Sequence, residues 1–513
     1  MSSTPTQSGD DTWSERETGR NQRQLVDSCF EEGHYESGII LLDQLRSPKY
    51  KPSPAHIRQM LYISLYPPPP AQDKGKEKAS QAEFGTPSKF AISAKQKKSP
   101  LIPTPAATEA AQRVLSTYAL TNSPSSLFRA LPSYPLDSNN ASGSTPVPGA
   151  RLGDEDEDDS FIAREAASIQ GCKTCWAIVK EGFVKRKEGD IVVENKPKAR
   201  GKKRQPLYEE AAMSEAESTE IPSPVGPYAW STLEWLVSLF EKDERASAKN
   251  GQLQYSPLLL AQIPPPRTGS GPRWEVEGPL DIVLCCLQQP EPRRRSLGVR
   301  LITLLVNLTS TVYLDTNLFI NLIFSRLYVH ADIFTILLTS LPNTVPIMTF
   351  KIALCRRCLG TTSVDPVASR PKPQARPRPA VRRRATGQSL DVNSLSRTAS
   401  SETLASVPSP PNINPTSKNV LPPASEILRL ISSPSKSSLD LQMKFELVMA
   451  YGLLYNDAAV GDKDEDWTAM LRDGRLKNGL DVAFDVPRGM ASKDQTTAAE
   501  GMKGLLVGLM GTW

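Results

Sequence analysis

PLDIVLCCLQQPEPRRRSLGVRLITLLVNLTSTVYLDTNLFINLIFSRLYVHADIFTILLTSLPNTVPIMTFKIALCRRCLG, Pro279 to Gly360, is the dense apolar block of the chain and the stretch whose reading decides the fold. Pro279 suits a first helical turn and Pro290 ends that helix, because proline lacks the amide a helix interior needs. Leu297, Leu301, Leu304, Leu305 and Leu308 then recur at intervals of three and four, the spacing of one helix face. Asp315 can cap a third helix through Phe319, Ile323 and Leu327. A fourth runs through Ile333, Ile336 and Leu337 to Pro342, and Pro346 opens a fifth that stops at Gly360.

Helices apolar on more than one face bury themselves against each other or in lipid. A membrane span is disfavoured by the charges. Leu297–Leu314 carries Arg300 and Asn307, while Leu318–Leu341 carries Asn321, Arg326, His330 and Asp332. Each arginine or aspartate among them costs about 2.5–3.5 kcal/mol at a helix centre. The block therefore predicts an all-α domain, either a stacked helical-repeat layer that resembles HEAT, armadillo or tetratricopeptide architectures or a helical bundle.

Working outward, the chain has 513 residues, 45 prolines, 39% hydrophobic and 6% aromatic content, so about half of it is expected to pack. The predicted organisation is a disordered tail over 1–21 and an N-terminal helical hairpin unit over 22–66. A mostly disordered linker over 67–159 follows, with a short helix near 107–120. An amphipathic helix over 160–188 carries the stripe Ile162, Ala166, Ile169, Cys172, Trp176, Val179 and Phe183. A basic linker spans 189–227, the helical core 228–360, a Pro/Ser/Arg-rich linker 361–424, and C-terminal helices and a tail 425–513. In the core, Ser231 and Glu234 have capping-box spacing, with Trp230 and Trp235 placed for a hydrophobic staple. At the other end, Gly501–Trp513 is apolar, too short to cross a bilayer, and expected to dock on the helical core.

In the hairpin unit, Gly33, Tyr35, Gly38, Leu42, Leu45 and Pro52 have the glycine, aromatic, small-residue and proline rhythm of a second half-repeat. This stretch resembles a tetratricopeptide repeat over about twenty residues. The family has alanine where this chain has Gly38, and no second copy follows at the family's period. The resemblance implies a peptide- or subunit-binding hairpin; an ordinary helical hairpin explains the same residues.

Chemistry-bearing motifs are few. Cys172/Cys175 and Cys355/Cys358 form two CxxC pairs that could supply four thiolates to a zinc. Both pairs fall in helical patterns rather than tight turns, so packing is the stronger reading. The three histidines, His34, His56 and His330, share no metal-ligand spacing, and no phosphate-loop, Rossmann or kinase motif is present. No enzyme activity and no cofactor are expected.

The run Lys196, Lys198, Arg200, Lys202, Lys203 and Arg204 resembles a nuclear-localisation signal, a flexible row of cations for an acidic import-receptor groove. It lacks the aromatics that would support nucleic-acid stacking. Thr86 and Ser433, each followed by Pro-Ser-Lys, resemble cyclin-dependent-kinase sites. Thr386, after Arg382–Arg384, resembles a basophilic-kinase site.

The reading these residues support is a nuclear scaffold or adaptor subunit of a larger complex, phospho-regulated in cell-cycle or chromatin processes. It would bind other proteins and an import receptor, with Trp230, Trp235 and Leu304 in its interaction core. Nucleic-acid contact has no direct support and no membrane is expected. The alternatives are a zinc-stabilised nucleic-acid-binding protein or a membrane-associated helical protein.

Overall fold

Proline and glycine mark the helix limits in the computed structural model, which describes residues 15–69, 102–134, 160–186, 222–249, 253–266, 272–273, 275–362, 421–435, 437–458, 463–485 and 493–513. Among these residues lie nineteen α-helices and a single two-stranded pairing, so the fold is all-α as the apolar block predicts. The chain divides into two units, residues 1–351 and 352–513.

The first unit begins with β1 (Arg16–Glu17), α1 (Arg20–Glu31), α2 (Tyr35–Leu45), β2 (Tyr50–Lys51) and α3 (Pro54–Ser64), with the two short strands parallel. Gly33, at φ +78°, turns the chain between α1 and α2, a conformation that costs glycine nothing. Gly38 lets the two helices touch: a Cβ there would lie 2.6 Å from the Phe30 ring. Every residue from His56 to Ser64 is buried, because α3 packs on α4 (Pro105–Thr121), on α6 (Phe161–Ala166) and on α8 (Trp230–Lys249). Thr104 starts α4 by accepting the Ala107 amide at 3.0 Å, and Ser123 similarly caps the single turn α5 (Pro124–Phe128).

The stripe from Ile162 to Phe183 does not form one helix. After α6 comes a 3-10 turn, Ala167–Ile169, and then only the short α7 (Trp176–Val179). Gln262 Oε1 accepts the Cys175 amide at 2.7 Å while its Nε2 donates to Pro132 O at 2.9 Å. A tertiary partner thus takes an amide that a continuous helix would use. Gly182, at φ +78°, turns the chain beyond. Ile162, Ala166, Ile169, Trp176 and Val179 are still buried, so the burial pattern survives although the helix does not.

Helix α8 is the hub of the first unit, contacting α3, α4, α5, α7, α9 (Pro257–Leu260) and α11 (Pro292–Thr309). Its first turn begins at Trp230 and the Leu233 amide bonds Ala229 O at 2.8 Å, so Ser231 lies inside the helix and is not its cap. Glu234 accepts from Arg293 Nη2 at 2.8 Å rather than closing a capping box. Further along, Lys242 Nζ donates to the carbonyls of Ala119, Leu120 and Asn122 at 2.9, 3.0 and 2.7 Å. These are acceptors left open at the C-terminus of α4, where a cation is favoured. Arg300 of α11 holds both oxygens of Glu241 at 2.7 and 2.8 Å.

The apolar block forms α10 (Glu277–Leu287), α11, α12 (Thr316–Leu327), α13 (Ala331–Ser340) and α14 (Val345–Thr362), the five helices its punctuation predicts. Asp315 Oδ1 accepts the Leu318 amide at 2.9 Å, the cap expected of it. The fifth helix runs two residues past Gly360. Gly298 admits a close approach of α10 to α11, since a Cβ there would lie 2.8 Å from Cys286 Cβ.

The second unit continues α14 from Ile352 and adds α15 (Ala424–Ile431), α16 (Ser438–Asp457), α17 (Glu465–Arg472), α18 (Arg475–Phe484) and α19 (Lys493–Met510). Trp467 is fully buried, with ring centroids of Tyr451, Tyr455 and Trp513 at 4.7, 6.4 and 6.2 Å. Gly452 makes room for Trp513, whose ring would lie 2.4 Å from an added Cβ. The terminal stretch from Gly501, expected on the helical core of residues 228–360, packs instead on α16 and α18 of the second unit, with Leu506 buried and Lys503 Nζ 2.7 Å from Asp481 Oδ1.

Candidate interaction surface

Apolar side chains left in water concentrate in one span of the first unit. Of sixteen large hydrophobic residues that are exposed among the described ones, Val312, Tyr313, Leu318, Tyr328, Val329 and Val345 fall between α11 and the start of α14. Val329 is 81% and Val312 60% exposed, in a region whose opposite faces supply Phe319, Ile323, Phe334 and Leu337 to the core.

The backbone that carries Val312 and Tyr313 is held by a buried arginine. Arg273 Nη1 donates to Leu260 O at 2.7 Å and to Ile263 O at 2.5 Å. The same residue's amide donates to Tyr313 O at 2.6 Å, and its carbonyl accepts from the Asp315 amide at 3.3 Å. Thr311 Oγ1 accepts the Tyr313 amide at 3.1 Å, and the rings of Tyr255 and Tyr313 lie 5.8 Å apart. At the other end of α12, Tyr328 stacks on Phe324 at 4.8 Å and Arg326 reaches Asp281 at 3.3 Å. A loop pinned on several sides presents apolar groups with little ordering left to do on contact, which favours association.

The residues expected to form the interaction core stand elsewhere. Trp235 and Leu304 are each 2% exposed and pack inside the first unit, so no partner reaches them while it is folded. Trp230 is half-buried under Arg294, whose guanidinium carbon lies 4.7 Å from the ring centroid. Periodicity identifies positions on a packed stripe; it does not separate a stripe that meets a neighbour within the chain from one that meets another protein.

Among the cysteines, Cys172 follows the 3-10 turn with Sγ 3.5 Å from Ser168 O, and Cys175, Cys355 and Cys358 are buried. Burial pushes the Cys175 thiol well up and that of Cys358 up to about 12. No group of three or more His, Cys, Asp or Glu able to hold a metal occurs among the described residues. His56 Nε2 lies 2.7 Å from Asp27 Oδ1 beside a small concavity bordered by Val26, Leu42, Arg46 and Tyr118. The pair joins α3 to α1, with His56 buried and Asp27 half-buried. Among the described residues no helix is long and apolar enough to cross a membrane.

Of the modification candidates, Ser433 is exposed just past α15. Thr86, Thr386 and the basic run from Lys196 to Arg204 lie outside the described residues. Two helix-fixing cations, Lys242 and Arg273, had no sequence signal, because their acceptors are backbone carbonyls, 120 to 123 residues away for Lys242 and 10 to 13 for Arg273. No protein family, curated protein or solved structure matches this chain.

Proposed function

We propose that the protein is an interaction scaffold, an adaptor subunit of a larger nuclear complex that binds another protein through the α11–α12 loop, α12 and the turn into α13. The observation that carries this reading is the concentration of exposed Val312 and Tyr313 in the loop before α12, Leu318 on α12 and Tyr328 and Val329 in the turn after it, next to helices whose other faces are packed. Burying such side chains against a partner contributes about 25 cal/mol for each Å² of apolar surface removed from water. Exposed apolar groups grouped in this way mark contact surfaces more often than scattered ones do. The cationic run from Lys196 to Arg204 supports import into the nucleus by pairing with an acidic receptor, and Thr86, Thr386 and Ser433 offer phosphorylation as the control on assembly.

Affinity purification of the tagged full chain tests the reading, comparing wild type with a Leu318→Asp/Val329→Asp double variant and with Leu120→Asp as a control for exposed charge elsewhere. Partners are expected with wild type and the control, and lost from the double variant at unchanged helical circular dichroism. Retention of every partner by the folded double variant refutes the proposed surface.

A further inference from the structure

Seven Ser/Thr-Pro pairs lie among the described residues; five use the serine or threonine in contacts that oppose modification, and a sixth, Ser53, is half-buried. Ser53, Thr104, Ser123 and Ser256 occupy the position before a helix whose first residue is the proline. Thr104, Ser123 and Ser256 accept amides with their hydroxyls there. A phosphate on Thr104, the exposed one of the four, would meet the carboxylate of Glu36, which accepts its hydroxyl at 2.7 Å. Ser47 is half-buried and accepts the Lys49 amide at 3.2 Å. Ser223 is half-buried beside Glu181, which accepts its amide at 2.9 Å.

Ser433 differs from all six. It is exposed, lies outside any helix, and spends its hydroxyl on one 3.0 Å hydrogen bond to Leu430 O. Its carbonyl accepts from Lys444 Nζ, an ammonium whose side chain is 1% exposed. The cation therefore sits within about 7 Å of Ser433 Oγ, the span of one residue plus a hydrogen bond. Burial lowers the Lys444 pKa to about 8, with Asp440 one turn earlier on α16 opposing that shift. A new anion beside this lysine would favour its charged form.

We propose that Ser433 is the phosphoacceptor of a proline-directed protein kinase and that Lys444 receives the phosphate, fixing the α15–α16 connection. This deepens the phospho-control within the proposed function and rests on that reading. In the transfer, Ser433 Oγ bonds to the γ-phosphorus of a nucleoside triphosphate as the bond from that phosphorus to the β–γ bridging oxygen breaks. The hydroxyl proton passes to a base of the kinase and the nucleoside diphosphate leaves. The new group exchanges its hydrogen bond to the C-terminal end of α15, where an anion is disfavoured, for an ion pair with Lys444.

The full chain treated with a proline-directed kinase and ATP tests both halves. Phosphate mapped by mass spectrometry is expected at Ser433, abolished there in Ser433→Ala, and absent from Ser53 and Ser256. The ³¹P resonance lost in Ser433→Ala then reports the phosphoserine. Its second pKa is expected about one unit below the ordinary value near 6, and back near 6 in Lys444→Met. A phosphorylated peptide of residues 428–438 gives a reference that needs no folded variant. Absence of phosphate at Ser433, or a pKa equal to that of the peptide, overturns the proposal. Partner capture through α12 is scored separately, so either idea can fail alone.

Discussion

Replacing Gly298 by alanine puts a methyl group into a close contact between α10 and α11, and the structure sets the sign of the result. The added Cβ would lie 2.8 Å from Cys286 Cβ, 3.1 Å from Val283 O and 3.4 Å from Leu287 Cγ. The first two atoms are fixed to the α10 backbone and cannot swing aside. Ordinary contact begins at 3.4 Å, so the helices have to part by about 0.6 Å at the Cys286 contact. Forcing an extra methyl into a packed core costs about 1–3 kcal/mol. Alanine returns about 1 kcal/mol through its helix propensity, which leaves a net loss of about 1 kcal/mol. Gly504→Ala supplies the control, since nothing lies within 4 Å of a Cβ there and only the propensity gain remains. Calorimetry should show the transition of the first unit lowered by about 2–4 °C in Gly298→Ala. Gly504→Ala should raise that of the second unit by a few degrees. A Gly298→Ala protein as stable as wild type refutes the reasoning.

Lys242→Met keeps the aliphatic stem but uncaps α4, and a loss of about 2 kcal/mol in urea unfolding of the first unit is expected; an unchanged midpoint would contradict the capping role. Leu304→Asp places an unpaired carboxylate at a site 2% exposed. It should abolish cooperative unfolding of the first unit, and a native near-ultraviolet spectrum for this variant would disprove its core assignment. Lys444, with its pKa lowered from 10.5 to about 8, binds its proton less tightly folded than unfolded. Between those pH values the unfolded chain holds more protons, so the lysine's contribution to stability should rise with pH through that window and stay flat below it. The difference between wild type and Lys444→Met in the urea midpoint of the second unit reads this contribution, and a difference that falls from pH 8 to pH 10 counts against it.

The helices of the apolar block were legible because their limits are local. Proline at 279, 290, 342 and 346 and the carboxylate of Asp315 act within a turn of themselves, so neighbours in sequence carry the information. The segment from Ile162 to Phe183 shows where that logic ends. Its apolar spacing suits a helix, but Gln262 claims the Cys175 amide from 87 residues away and the helix breaks. In the second unit, α17 and α18 went unseen because charged residues dilute their stripes: Trp467 and Met470 are the buried residues of α17. The candidate surface was illegible for a related reason. Leu304 and Leu318 are the same residue type on adjacent helices, and only packing shows that one is covered and the other is not.

The hub position of α8 also dictates when the first unit can complete its fold. Lys242 meets Ala119 across 123 residues of chain, and Thr232 meets Ser64 across 168. A ribosome adding about 5–20 residues per second needs on the order of ten seconds to make the segment between Ala119 and Lys242. During that interval α3 and α4 have no α8 to cover them, and the apolar residues they later share with it stand open to solvent or to a chaperone. The late arrival of one helix therefore makes the nascent chain, more than the finished protein, the stage at which aggregation competes with folding.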